Sequence, residues 1–286
     1  MNVLSLFDGI SVGRLALEHI GVQVHQYFAS EIDPHAKQVA AINWPSTTHV
    51  GDVTKLEAGG LPQIDLMFAG FPCQSISSLG KGAGLKGKSG LFWEFIRLKE
   101  ELNPRYWLVE NVDGLKSAID KVTETLGVQP IRICSSRLTG QNRARLYWTN
   151  IPGVTQPEDA GVFLRDVLEQ GVPDLSALTP GRKRWVLSEK GRQCFSRRYA
   201  SLDPVKAQCL TARSDASWNS NYVTRQGSIS RLTPVEYERL QGLPDNYTAC
   251  IRTTERYKSI GNSWTMPVIA HILRPLGNYD PTRASS

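Results

Sequence analysis

The sequence predicts an α/β chain: a parallel sheet covered by helices in its first half, followed by a smaller, irregular domain. Three observations carry this reading. Short apolar runs alternate with helix-length amphipathic segments up to Asn150, turns bearing Gly or an acid close the first runs, and after Ile151-Pro152-Gly153 the pattern changes to Gly, Pro and charge.

Taken in order, Val3 to Phe7, Val24 to Ala29, Ile64 to Ala69, Tyr106 to Val109, Ile131 to Cys134 and Ala144 to Asn150 read as strands. Between them, Val12 to Ile20, Pro34 to Asn43, Leu91 to Leu102 and Ser117 to Leu126 read as helices. Phe92, Phe95, Ile96 and Leu98 mark one apolar face on the third, while Leu15, Leu17 and Ile20 mark a weaker one on the first. A helical pattern resumes at Pro234 to Gln241 and at Met266 to Leu276, where Pro267 is tolerable only in a first turn.

With 286 residues and 41% hydrophobic content, the chain can bury a full core. Nothing approaches the run of about 18 apolar residues that spans a bilayer, and no charged leader precedes the first strand, so a cytoplasmic protein with no membrane partner is expected. Five scattered cysteines fit neither a disulfide framework nor paired zinc knuckles, and no metal is expected. The net charge of +6 is local: residues 181–232 hold 11 Lys or Arg against 3 Asp or Glu. There Arg182-Lys183-Arg184-Trp185 and Arg197-Arg198-Tyr199 interleave cations with aromatics, a composition suited to phosphates and bases, although a solvated basic face has the same make-up.

Two strand ends carry candidate chemistry. Phe71-Pro72-Cys73-Gln74 presents a thiol after the third run, and the fourth ends in Glu110-Asn111-Val112, pairing a nucleophile with an acid. Earlier, Phe7-Asp8-Gly9-Ile10-Ser11-Val12-Gly13 turns from the first strand into the first helix, and Glu31 follows the second strand, where a carboxylate can accept both hydroxyls of a ribose. These glycines do not form the dinucleotide pattern, which favours a phosphate-free cofactor such as S-adenosylmethionine over NAD. Asp52 is placed to accept from an adenine amino group. Residues 82–89 also satisfy the P-loop expression, but the Cys73 segment separates them from the strand that a P-loop must leave directly; a basic lid fits them better than an NTPase site.

In this order the motifs resemble the DNA (cytosine-5)-methyltransferases of bacteria and phages, with some similarity to the eukaryotic de novo enzymes. Phe7-Asp8-Gly9 is similar to their cofactor motif, Phe71-Pro72-Cys73-Gln74 to the nucleophile motif, Glu110-Asn111-Val112 to the acid motif and Gln141-Asn142-Arg143-Ala144-Arg145 to Gln-x-Arg-x-Arg. Arg231 through Pro244 resembles the segment after the target recognition region, and Gly261-Asn262-Ser263 the closing cofactor motif. Ser5 stands where many bacterial members carry Asp.

The resemblance implies a Rossmann-like S-adenosylmethionine-dependent sheet, with residues 1–152 and 251–286 as catalytic domain and 153–250 as target-recognition domain. It implies catalytic roles for Cys73, Glu110, Arg143 and Arg145, and cofactor contacts from Phe7, Asp8, Gly9, Ile10, Glu31, Ile32, Asp52, Val53, Asn262 and Ser263. Double-stranded DNA is the implied partner of an expected monomer, touched by Gln74, Ser77, Lys81, Lys88, Arg182, Arg184, Arg197 and Arg213. The target cytosine must be flipped out of the duplex to be reached. S-adenosylhomocysteine would be the product of the methyl donor. Gln193-Cys194-Phe195-Ser196 is similar to the Cys-Phe-Thr of the tRNA-methylating branch, without its threonine, which keeps tRNA open as an alternative substrate. A non-catalytic nucleic-acid-binding regulator is the further alternative.

Overall fold

The computed structural model describes residues 1–72, 90–172, 178–195, 201–213, 220–225 and 227–278. They form two compact units, one of Met1–Ile133, Ala144–Pro157 and the chain from Val268, the other of Cys134–Arg143 and Glu158–Pro267. The eight strands up to residue 149 are β1 (Asn2–Leu6), β2 (Gln26–Ser30), β3 (Thr48–His49), β4 (Leu66–Ala69), β5 (Tyr106–Val112), β6 (Ile131–Cys134), β7 (Gln141–Asn142) and β8 (Ala144–Thr149). All but β7 belong to one sheet, in the order β3-β2-β1-β4-β5-β8-β6.

Within that sheet β1 pairs in parallel with both β2 and β4, and β4 with β5. The chain therefore winds outward from β1 to β3, then restarts beside β1 at β4. Such a reversal opens a crevice beyond the carboxyl ends of the two central strands, where open α/β sheets bind their ligands. The Phe7 turn follows β1 and Phe71-Pro72 follows β4. Continuous burial of Val3 to Leu6 and Leu66 to Ala69 reflects coverage of both sheet faces.

Four helices cover these strands: α1 (Val12–His19), α2 (Pro34–Asn43), α3 (Phe92–Leu102) and α4 (Lys116–Leu126). Asp33 starts α2 by accepting from the His35 and Ala36 amides, with Pro34 in the first turn where its missing N–H costs nothing. Phe92, Phe95 and Leu98 of α3 and Ala118, Val122 and Leu126 of α4 bury one face each in a core with Leu4, Met67, Trp107 and Trp148. One strand departs from the expected parallel pattern: β8 runs antiparallel to β5. Only residues 135–143 lie between β6 and β8, too few for the crossover of a dozen or more residues that a parallel return needs.

The second unit contains α5 (Pro180–Leu187), α6 (Glu189–Phe195), β9 (Ser201–Leu202), β10 (Ala207–Gln208), β11 (Asn221–Arg225), β12 (Ser228–Arg231), α7 (Pro234–Leu240) and α8 (Thr253–Asn262). Helix α9 (Met266–Leu273) carries the chain back into the first unit at Val268. Strands β12, β11 and β9 form a small sheet, β10 pairs with β7, and Val186, Tyr222 and Ile229 make a small apolar cluster. Among the described residues no helix is long and apolar enough to cross a membrane, and no group of three or more His, Cys, Asp or Glu could hold a metal ion.

Candidate active site at the carboxyl ends of the sheet

The turn after β1 is held in a conformation that most residues avoid. Phe7, Gly9 and Ser11 have φ of 57°, 60° and 59°, the left-handed region that only glycine enters without cost. Hydrogen bonds to the neighbouring strand ends hold it there. The Asp8 amide donates to the Ser30 carbonyl at 3.1 Å, the Gly9 amide to Glu31 Oε2 at 2.8 Å, and Ser30 Oγ to the Gly51 carbonyl at 2.8 Å. Glu31 Oε1 also accepts from the Ile32 and Asp33 amides. These bonds make one polar rim of the loops after β1, β2 and β3.

On that rim, Asp8 receives hydrogen bonds from Ser11 Oγ at 2.5 Å and Tyr27 Oη at 2.7 Å. Burial pushes its carboxyl up to about 6; hydrogen bonds from Ser11, Ser5 and Tyr27 offset part of that rise, and the Glu31 charge adds to it. Asp52 caps a short 3-10 turn, Val53–Lys55, accepting from the Thr54 amide and hydroxyl at 3.0 and 2.9 Å, and these bonds hold its carboxyl below the usual range. Ile10 and Val53 are buried, whereas Ile32, beside Glu31, is 74% exposed. An exposed apolar side chain between carboxylates suits a flat base carried on a hydroxylated sugar. Pyrophosphate would meet Glu31 at the very turn where a dinucleotide rests it.

At the next strand ends, Glu110 and Arg145 come together. Glu110 of β5 lies opposite Tyr147 and Arg145 opposite Val112, so the two are diagonal neighbours on one face of the ladder. Arg145 Nε is 3.0 Å from Glu110 Oε1, with the side chains only 14% and 12% exposed, and its Nη1 donates to the Ala144 carbonyl. Asn111, 2% exposed, donates from Nδ2 to the Phe71 carbonyl at 3.1 Å, while its Oδ1 accepts from the Val112 amide. The Phe71 ring packs 5.3 Å from that of Phe92. The strand bearing the acid thus anchors the backbone two residues before Cys73. Asn111 stood in the acid motif without a role of its own, and its amide beside the acid was the available signal.

Arg143, expected among the catalytic residues, is spent elsewhere. It is 5% exposed and lies between β7 and β8, donating to the carbonyls of Leu210 at 2.7 Å, Gly261 at 3.2 Å and Ser263 at 2.9 Å. A guanidinium enclosed by carbonyls of its own unit acts as a clamp on backbone. Gln141 extends the clamp by bonding the Leu240 carbonyl, the Leu210 amide and Gln241, which in turn bonds the Ile260 and Ser263 carbonyls. The end of α8 at Gly261-Asn262-Ser263 is thereby fixed within the second unit. Gly261 has no room for a side chain, since a Cβ there would stand 2.3 Å from the Thr211 carbonyl carbon.

Of the expected DNA contacts, Arg182 is half-buried and Arg184 exposed on α5, which is anchored by the buried Val186; Arg213 is exposed. Cys73, Gln74, Ser77, Lys81, Lys88 and Arg197 lie outside the described residues, as does the P-loop-like stretch.

Comparison with known proteins identifies the family and the fold. A sequence model of C-5 cytosine-specific DNA methylases matches residues 1–129 and 174–278. The Type II methyltransferase M1.ScrFI of Lactococcus lactis subsp. cremoris is 28% identical over 296 residues, covering 94% of this chain and 76% of that protein. The Type II methyltransferase M.NlaX of Neisseria lactamica is 27% identical over 304 residues, covering 95% of this chain and 94% of that one. Among solved structures, the S. pombe Dnmt2 methyltransferase superposes with a TM-score of 0.77 at 20% identity, covering 98% of this chain and all of that one, a likeness of fold.

Proposed function

The chain belongs to the C-5 cytosine-specific DNA methylases, enzymes that methylate carbon 5 of cytosine in DNA at the expense of S-adenosylmethionine, and we propose that Cys73, Glu110 and Arg145 carry out this reaction here. The observation that carries the assignment is the convergence of Glu110 and Arg145 on one ladder face, with Asn111 holding the backbone that leads into Cys73.

Carbon 5 of cytosine is a poor nucleophile, so the ring must be activated before it can accept a methyl group. Addition of the Cys73 thiolate to carbon 6 forms a carbon–sulfur bond and pushes electron density toward carbon 5 and N3. Glu110 stabilises that density by hydrogen bonding at N3 and the exocyclic amine, while Arg145 donates to O2. S-adenosylmethionine supplies an electrophilic sulfonium methyl for carbon 5. Transfer of the carbon 5 proton to water then re-forms the 5,6 double bond, breaks the carbon 6–sulfur bond and releases the Cys73 thiolate.

The polar rim fits that methyl donor. Glu31 would take the ribose hydroxyls, Asp52 the adenine amine and Ile32 a face of the base, with Phe7, Asp8, Gly9, Ile10 and Val53 shaping the turn around it. By their motif alone we propose Asn262 and Ser263 as cofactor residues; within their own unit Arg143 and Gln241 hold the Ser263 carbonyl. The basic stretch from residue 181 to 232, including Arg182, Arg184, Arg197 and Arg213, would serve phosphates and base edges of a double-stranded target, as a monomer acting in the cytoplasm. Similarity to Type II methyltransferases supports a modification role of the restriction–modification kind.

Transfer of a tritiated methyl group to DNA and to tRNA, with Cys73→Ala as control, tests the assignment. Incorporation into DNA that vanishes with Cys73→Ala is expected, and bisulfite sequencing of DNA from expressing cells would locate the target. Incorporation that survives the loss of Cys73, or that goes to tRNA alone, would overturn it.

A further inference from the structure

Arg97 of α3 reaches across to the edge of the cofactor rim. Its Nη2 donates to the carbonyls of Val53 at 3.3 Å and Leu56 at 3.0 Å, which bracket the 3-10 turn that Asp52 caps. Two carboxylates of its own helix aim it there. Glu94, one turn earlier, accepts from Nε and Nη2 at 3.0 and 2.9 Å, and Glu101, one turn later, faces Nη1 at 3.4 Å. Beneath the guanidinium, Val53 and Leu56 pack in the same core as Phe92 and Phe95.

A half-exposed ion triplet along one helix contributes little to stability. The bonds to Val53 and Leu56 differ in kind, because they join segments 44 and 41 residues apart in sequence. Inside the turn, the Lys55 amide donates to the Asp52 carbonyl and the Thr54 amide to the Asp52 carboxylate, so the direction of that carboxylate depends on the turn staying closed. Arg97 holds two carbonyls of this segment from a rigid helix: that of Val53, which also accepts the Leu56 amide, and that of Leu56.

We propose that Arg97 is a positioning residue for the cofactor, fixing the Asp52–Leu56 turn against α3 so that the Asp52 carboxylate is presented to the adenine. The proposal rests on the reading of Asp52 as a cofactor contact. It predicts that Arg97 acts through Asp52 on cofactor affinity and not on the chemical step.

Calorimetric binding of S-adenosylhomocysteine to the full chain, together with kcat at saturating S-adenosylmethionine, tests this for Arg97→Met, Arg97→Lys, Asp52→Ala and the double variant D52A/R97M. Arg97→Met should weaken binding by about tenfold and leave kcat within about twofold, and in the Asp52→Ala background it should add less than about twofold, since coupled residues are not additive. Arg97→Lys, which can reach one of the two carbonyls, should recover part of the loss; it also serves for the same cycle with Asp52→Ala if Arg97→Met does not fold. Undiminished binding in Arg97→Met alongside weakened binding in Asp52→Ala would overturn the positioning role, and so would two losses that simply multiply. Full binding in Asp52→Ala would instead overturn the adenine contact itself, and the inference with it.

Discussion

Replacing Asp8 by Asn is expected to remove a pH dependence of stability whose size follows from the turn after β1. The Asp8 carboxyl is raised from 3.8 to about 6, first by burial and in smaller part by the charge of Glu31, against the three hydroxyls that bond it. Each unit corresponds to about 1.4 kcal/mol, so holding the ionised form in the folded chain costs about 3 kcal/mol. The sign follows from proton binding: between about pH 4 and pH 6 the folded chain keeps a proton that the unfolded chain has lost. Stability from this group is therefore highest at low pH, falls as pH rises through that window and levels off above about pH 6. Asparagine cannot ionise, so the stability of the wild type relative to Asp8→Asn should fall by roughly 2–3 kcal/mol between about pH 4 and pH 7. Urea denaturation of both chains across that range measures the difference directly, and the other titrating groups cancel in it. A difference that stays constant with pH would mean that the carboxyl titrates as in the unfolded chain, which would refute its enclosure by Ser5, Ser11 and Tyr27.

Three further substitutions probe the rest of the site. Asn111→Ala frees the Phe71 carbonyl, and single-turnover methyl transfer should slow by about 10- to 100-fold, the scale of a lost positioning contact, with S-adenosylhomocysteine binding unchanged. Gly261→Ala forces a methyl into the Thr211 backbone, and a loss of about 3 kcal/mol or more should show as a lowered melting temperature or insoluble protein. Arg143→Met removes a charged donor from the carbonyls of Leu210, Gly261 and Ser263, the last of which keeps Gln241, at a cost of about 3 kcal/mol in a urea titration. If Arg143→Met kept its stability and lost only kcat, Arg143 would act in catalysis and not as a clamp.

The sheet was legible where burial on both faces makes strands continuously apolar. β1, β2, β4 and β5 stand out in the sequence for that reason, and the motif residues sit at or just beyond their carboxyl ends, as the alternation of strand and helix implied. Strand order was not legible. Whether β8 lies beside β5 or beyond β6 is decided by packing over the whole sheet, and only that placement brings Glu110 to Arg145 from 35 residues away in sequence. The hydrogen bonds of Arg143 were not legible for a local reason: it lies between β7 and β8, which belong to different sheets, so strand alternation does not set its direction. In the second unit α5, α6 and α8 were hidden by polar composition, and β3 is too short to leave a pattern. Asp8 showed only as part of a motif, because the Tyr27 that encloses it reads as an ordinary strand aromatic.

The physical contrast between the two units explains which side chains matter in each. The first is built on a broad apolar core, and its polar bonds gather at the strand ends. In the second, bonds with direction take over much of that task. Glu236 is 0% exposed and receives the Glu169 and Thr233 amides together with Arg225; Glu238, equally buried, receives the Asn246 and Thr248 amides, the Thr248 hydroxyl and Arg256. Carboxylates taken out of water cost several kcal/mol, and a pairing as complete as this offsets that cost without adding much net stability. What the bonds add is a fixed geometry. They tie the end of β11 to α7, and α7 to α8, so that the small sheet and the end of α8 at Gly261-Asn262-Ser263 share one rigid frame. An apolar core of the same size would tolerate sliding by a few tenths of an ångström, whereas a hydrogen bond loses most of its worth when misaligned. On the proposed reading, in which arginines of this unit meet base edges, that stiffness serves more than added stability would.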